Sequence, residues 1–292
     1  MSKLIPHKGN LCSKYATKMI SIKINNNCNR FCSFCIDRGG RNGNYISIDD
    51  IAKNGIFYSD YRIVIITGGE PFLDFDKIVE LAKRLRPYKQ KIILNTNGTL
   101  LTKEKTIALN GLIDELQVSI HHYDENRNNK IFGGNVSFEN IKKSLENKLF
   151  SLSINSNFTN EYTKEERPTA IHKMTTLCKY LNADRLRLTE TKKVCENNFV
   201  LASEFFPKSS LAVSRTSNEL ITKGCTFFYN KDGIQVSVKR LCDYAKGEDA
   251  IAFSCCFIDT NGQKKIDVDT VNTFKVIYSD GLVTDDWVFE GI

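Results

Sequence analysis

The chain has 292 residues, 41% of them hydrophobic and 26% charged, with a formal charge of +7. This is the composition of a folded globular protein with enough apolar content for a sizeable core, and it excludes a disordered or collagen-like chain. No stretch approaches the roughly 20 apolar residues that span a bilayer, and the first ten residues lack the apolar region of a secretory signal, so no membrane association and a cytoplasmic location are expected.

The basic residues form no long run. They suit a solvated surface, and they also suit an anionic partner such as a phosphorylated small molecule or a nucleotide; nucleic acid is left open without support. On composition alone the many Asn and Lys residues carry little information.

In chain order, 19–24 reads as a strand. The segment 47–58 reads as a helix with Ser47 as N-cap and Asp50 at its third position. A buried-type strand covers 62–67, and a helix over 74–85 stops before Pro87. A strand follows at 91–96, a helix starts near Thr102, another strand covers 115–120 and a helix covers 137–147. A fifth strand takes 150–155, a helix takes 163–181 with Pro168 as a candidate first helical residue, and a sixth strand takes 185–188.

This alternation argues for βαβ units, a parallel sheet and right-handed crossovers. The expected fold class is α/β, a partial (β/α)6 TIM-type barrel, with function at the C-terminal ends of the strands. Beyond about residue 190 the rhythm changes to hairpins, marked by turns at Asp232-Gly233, Asn261-Gly262 and Asp280-Gly281. The expected organisation is an N-terminal segment 1–18, a barrel 19–190 and a hairpin-rich extension 191–292 that covers the barrel and contributes to the substrate site.

The ten cysteines of a chain expected in reducing cytosol point to metal binding or catalysis rather than to a disulfide framework. Cys28, Cys32 and Cys35 directly follow the first strand with the spacing Cys-x3-Cys-x2-Cys. Thiolates are soft ligands for iron–sulfur clusters and zinc. Structural zinc is closed by four protein ligands, and no fourth Cys or His stands nearby. The loop suits three corners of a 4Fe–4S cluster, with one iron open to a cofactor or substrate. A non-enzymatic iron–sulfur or zinc protein is the alternative of another class.

With Phe34 in the position before Cys35, the motif resembles the Cys-x3-Cys-x-aromatic-Cys signature of the radical S-adenosylmethionine superfamily. Thr67-Gly68-Gly69-Glu70-Pro71, after the second strand, is similar to that superfamily's Gly-Gly-Glu-Pro. The resemblance covers about residues 19–190, and its motif style is nearest to the molybdenum-cofactor cyclase and viperin branch. It implies a 4Fe–4S cluster on Cys28, Cys32 and Cys35, and S-adenosylmethionine bound to the open iron. It further implies that Gly68, Gly69 and Glu70 hold the methionine ammonium, with Pro71 as scaffold and Phe34 as a cofactor contact. Thr96 and Asn97 of Asn95-Thr96-Asn97-Gly98 are implied to face the cofactor or substrate, Ser119 the methionine carboxylate or ribose, and Asn155 the ribose.

The chain also departs from the pattern. Many relatives carry an arginine after the fourth strand, where this chain has Gly134 in Lys130-Ile131-Phe132-Gly133-Gly134. Lys130, His121, Arg185 and Arg187 are the candidates to replace it or to contact substrate. His121 and His122 are adjacent, so only one of the two can line a pocket. Cys225, Cys242, Cys255 and Cys256 suggest an auxiliary cluster, although no Cys-x2-Cys occurs among them, and free cysteine is also a common buried hydrophobe.

The implied reaction is reductive cleavage of S-adenosylmethionine to a 5′-deoxyadenosyl radical that abstracts hydrogen from a nucleotide-like or phosphorylated small molecule. Modification of a peptide, protein or RNA is the alternative. A reductant such as flavodoxin or ferredoxin is the expected partner.

Overall fold

A computed structural model of the chain describes residues 18–35, 45–190, 200, 202–205, 221–223, 226–239, 257–258, 264–265 and 274–284. Cys225, Cys242, Cys255 and Cys256, and with them the suggested auxiliary cluster, lie outside the described residues.

Six strands carry the alternating plan: β1 Met19–Lys23, β2 Ile63–Thr67, β3 Lys91–Thr96, β4 Glu115–Ser119, β5 Ser151–Phe158 and β6 Arg185–Glu190. Between them run α1 Ile48–Phe57, α2 Phe75–Leu85, α3 Lys103–Leu109, α4 Glu125–Phe132 with α5 Phe138–Ser144, and α6 Arg167–Tyr180. The capping chemistry sets these helix starts. Ser47, Thr102, Asp124 and Ser137 each accept a hydrogen bond from a backbone N–H of the first turn. Pro168 lies in the first turn of α6, where its missing N–H costs nothing.

Two expectations differ from the structure. Helix α4 was not anticipated, because its sequence is polar until Ile131 and Phe132; its signals are the caps, Asp124 at one end and Gly133 in a left-handed conformation at the other. Strand β5 continues to Phe158, since Ser156, Asn157 and Phe158 pair with Leu188, Thr189 and Glu190. Asn155 is therefore a mid-strand residue.

The three expected hairpins are present. Strands β7 Ile221–Lys223, β8 Thr226–Lys231 and β9 Ile234–Lys239 form an antiparallel ribbon, β10 Phe257–Ile258 pairs with β11 Lys264–Lys265, and β12 Phe274–Ile277 pairs with β13 Val283–Thr284. Two of these hairpins join the barrel sheet. Strand β9 lies parallel to β6, and β12 lies parallel to β1. The result is an open sheet in the order β13-β12-β1-β2-β3-β4-β5-β6-β9-β8-β7, whose central eight strands are parallel. It is a partial barrel, not a closed one.

The two faces of the sheet differ sharply. Ile20, Ile22, Val64, Ile66, Ile92, Leu94, Leu116, Val118, Leu152, Ile154, Leu186 and Leu188 are essentially inaccessible and pack with helix residues such as Ile78, Leu81, Ile141 and Met174. Side chains alternate along a strand, so the other face, the concave interior, carries Lys23, Asn95, Glu115, Gln117, Ser119, Ser153, Asn155, Arg185 and Arg187. That interior is polar, as expected of a surface built to hold a ligand and not a second hydrophobic layer.

Candidate active site

The cysteine loop leaves β1 at its C-terminal end and is held from three directions. From β2, the Gly69 N–H donates to both the carbonyl and the side-chain Oδ1 of Asn25 at 3.1 Å, and the Glu70 N–H donates to the Asn27 carbonyl at 2.6 Å. Asn25 Nδ2 returns bonds to the Glu70 carbonyl at 3.1 Å and to Asp74 at 2.7 Å. From the end of α4, the Phe132 and Ile131 carbonyls accept from the Phe31 and Ser33 N–H groups, both at 3.0 Å. From β3, Thr99 Oγ1 accepts from Asn29 Nδ2 at 2.9 Å.

These contacts explain the glycines. A Cβ on Gly69 would lie 2.1 Å from the Asn27 carbonyl oxygen, one residue before Cys28. No side chain fits there while the two loops are clasped. Gly98 has φ +79°, and a Cβ there would also meet Val118 Cγ1 at 2.9 Å.

Glu70 is 1% exposed. Its Oε1 accepts from the Phe72 N–H at 3.0 Å and the Thr96 hydroxyl at 2.7 Å, and its Oε2 accepts from the Asn97 N–H at 2.7 Å. Desolvation pushes its pKa above the ordinary carboxylate value, against those hydrogen bonds. The carboxylate ties the turn after β2 to the end of β3. A carboxylate offers about four acceptor positions, and three are used here.

Cys28 is solvent-accessible, and Cys32 and Cys35 are partly so. Desolvation raises the Cys28 thiol pKa, opposed by hydrogen bonds from the Arg30 N–H and the Asn97 amide. Among the described residues, no three His, Cys, Asp or Glu side chains converge to hold one metal ion. The donor set is three accessible thiols on one clasped loop, with the glycine pair packed directly against that loop. Both features fit a cluster with a small cofactor lying across it.

The histidines diverge as alternation requires. His121 packs edge-on against Phe34, with ring centroids 4.6 Å apart, and its Nδ1 accepts from the Asn157 N–H. His122 stacks on Tyr162 at 4.3 Å, away from the cysteine loop. Ser119 lies at the end of β4, paired in register with Asn155. Asn155 Nδ2 donates to Gln117 at 2.9 Å, while its buried Oδ1, like that of Asn95, has no hydrogen-bond partner among the described residues.

Two candidates stand apart. Lys130 is on the surface, paired with Glu161 at 3.0 Å. Arg185 opens β6 at the far end of the barrel and bonds to the buried Glu115 at 3.0 Å, where Lys91 also pairs. Arg187, two residues on, makes no hydrogen bond or ion pair among the described residues, and desolvation lowers its pKa.

The sequence reading missed Asn25, Asn29, Thr99 and Arg30. The asparagines had been set aside as composition, yet they hold the loop. A Cβ on Gly134 would come 3.2 Å from Arg30 Cδ and Nη1. Thus an arginine of the cysteine loop, bonded to the Asn135 carbonyl at 2.7 Å, rests where Gly134 stands in place of the pattern's arginine.

The family model of the radical SAM superfamily matches residues 22–173, a span that holds the cysteine loop, the glycine pair and Asn97. The chain belongs to the radical SAM superfamily. It is similar to a probable GTP 3′,8-cyclase of Methanococcus aeolicus, 32% identical over 148 residues, or 47% of this chain and 49% of the relative. It is also similar to a 7-carboxy-7-deazaguanine synthase of Methanospirillum hungatei, 32% identical over 91 residues, or 31% and 37%. The matched part of this radical SAM chain spans about half or less of the length of these curated relatives. In fold it is similar to Streptococcus suis SuiB, in a crystal structure with the precursor peptide SuiA. That match has a TM-score of 0.66 and 17% identity, and it covers 93% of this chain and 60% of that one. No helix among the described residues is long and apolar enough to cross a membrane.

Proposed function

We propose that this radical SAM chain binds a 4Fe–4S cluster through Cys28, Cys32 and Cys35, and acts on a nucleotide-like or phosphorylated small molecule held in the barrel interior. A cluster held by Cys28, Cys32 and Cys35, with S-adenosylmethionine bound, would supply radical chemistry: one-electron reductive cleavage of the sulfonium, leading to hydrogen-atom abstraction from the substrate. The observation that carries the reading is the clasp: the three-thiol loop is fastened to the glycine turn and to Asn97 at the mouth of the barrel.

The chain's own part is binding and orientation. The turn at Gly68 and Gly69, seated against the cysteine loop, would receive the methionine end of the cofactor, with the Glu70 carboxylate as the acceptor for its ammonium. Ser119 and the unpartnered Asn155 Oδ1 face the ribose side. Arg187, with no ion pair among the described residues though within the field of Glu115, stands in the same interior, and its charge favours an anionic substrate. The names of the similar proteins, which act on GTP or make a deazaguanine, support a nucleotide-like one.

The test is anaerobic reconstitution with iron and sulfide, followed by dithionite and S-adenosylmethionine, alone and with nucleoside triphosphates. About four iron per chain and formation of 5′-deoxyadenosine are expected, both lost on replacing Cys28, Cys32 and Cys35 together with Ala. Iron retained by that variant places a cluster elsewhere, and loaded protein that yields no 5′-deoxyadenosine refutes the reading.

A further inference from the structure

The Asn97 side chain reaches toward the cysteine loop. Its amide Nδ2 lies 4.0 Å from Cys28 Sγ and 2.8 Å from Asn29 Oδ1. The orientation of the amide is fixed by its other end. Oδ1 accepts from the Thr99 N–H at 3.0 Å and from the Thr99 hydroxyl at 2.7 Å. A backbone N–H only donates, so the amide cannot be turned over without setting donor against donor. One Nδ2 hydrogen serves Asn29, and the other is left for the sulfur.

The ring is closed by Asn29 Nδ2, which donates to Thr99 Oγ1 at 2.9 Å. Asn29 is the residue after Cys28, so the cysteine loop and the donor aimed at it are held by the same four bonds. Asn97 is 8% exposed, so the donor end of the contact is shielded, while the Cys28 sulfur is solvent-accessible. Together with the Arg30 N–H, Cys28 thus meets two N–H donors.

We infer that Asn97 is a positioning residue that sets the reduction potential of the cluster by donating an N–H···S hydrogen bond to the Cys28 thiolate, with Thr99 and Asn29 orienting it. The inference rests on Cys28 being a cluster ligand, as proposed above. Ligation makes Cys28 a thiolate, a stronger acceptor than the thiol. An N–H aimed at a ligating sulfur favours the more negative, reduced cluster, and hydrogen bonds to the sulfurs are among the factors that set such potentials.

The experiment is a redox titration, followed by electron paramagnetic resonance, of reconstituted wild type, N97A, N97D and T99V without S-adenosylmethionine. The midpoint is expected to fall in N97A and further in N97D, where a carboxylate oxygen replaces the donor. For N97D the reduced-to-oxidised ratio at a fixed poise should fall about tenfold, a shift of 59 mV for one electron. T99V removes one of the two bonds that orient the amide and should shift the midpoint less, in the same direction.

Loaded N97A and N97D with the wild-type midpoint overturn the inference. If neither takes up iron, T99V decides, and an unchanged midpoint there overturns it equally. Wild type that assembles no cluster refutes the cluster reading instead, so the two failures are distinct.

Discussion

Gly69→Ala puts the clasp between the glycine turn and the cysteine loop under direct strain. The added Cβ would stand 2.1 Å from the Asn27 carbonyl oxygen, 2.5 Å from its carbon and 2.8 Å from the Asn26 oxygen. All three are backbone atoms, so no side-chain rotation relieves the overlap. The carbonyl has to retreat by roughly 1 Å before the contact becomes tolerable. That movement breaks the 2.6 Å bond from the Glu70 N–H, with a buried donor left unpaired at a cost of about 1–3 kcal/mol. Cys28 is the next residue and moves with it. A displacement of about 1 Å in a reacting constellation lowers the rate about 100-fold. The measurement is 5′-deoxyadenosine formed per cluster, normalised to iron content, beside the urea midpoint of the cluster-free chain. Wild-type turnover with a wild-type midpoint would refute the reasoning, because it would mean that the two loops are not pressed together.

Acid should weaken the fold through its paired histidines. Desolvation lowers His121 to about 3, and desolvation with the nearby Arg127 lowers His122 to about 4, from an ordinary 6.5. The unfolded chain therefore binds protons that the native one refuses. The stabilisation is complete above pH 6.5 and is lost progressively as pH falls toward these native values. By pH 5 each histidine has cost about 2 kcal/mol. Urea unfolding at pH 8 and pH 5 should show that loss reduced in H121N and in H122N, and an equal loss in all three proteins contradicts the assignment. Glu70→Gln should destabilise the chain by about 1–3 kcal/mol. The N–H groups of Phe72 and Asn97 donate to different carboxylate oxygens, so the new amide nitrogen must face one of them. Unchanged thermal unfolding of E70Q would show that the carboxylate is not the tie between the two strands.

The barrel was legible because its signals are local and repeated. Apolar runs of strand length alternate with capped helices, and Ser47, Thr102 and Ser137 announce their helices from sequence alone. The cysteine loop and the glycine pair were legible because spacing and identity define them. What could not be read was relation. Nothing local says that Asn25 reaches Glu70 and Asp74, or that Asn29 and Thr99 pair across the site, since each bond joins residues more than forty positions apart. Helix α4 escaped for a different reason, as its few apolar residues produce no periodicity. Lys130 and Arg185 are candidates by charge and by their places near Gly134 and on the sixth strand. The structure pairs Lys130 with a carboxylate at the surface and Arg185 with the buried Glu115, contacts that sequence alone does not reveal.

Strand β1 bears the cysteine loop, and its outer edge is covered by a segment much later in the sequence, Met19 pairing with Phe274. During synthesis the partner of that edge is missing until residues 274–277 have been made. Its unpaired amides and carbonyls are meanwhile a template for adventitious strand pairing, and a closure between such distant residues is intrinsically slow. The cysteine loop would thus be seated on its finished support only after residues 274–277 are in place. Shortening the chain before residue 274 would expose the strand that carries the cysteine loop even though every cysteine of the first motif remained.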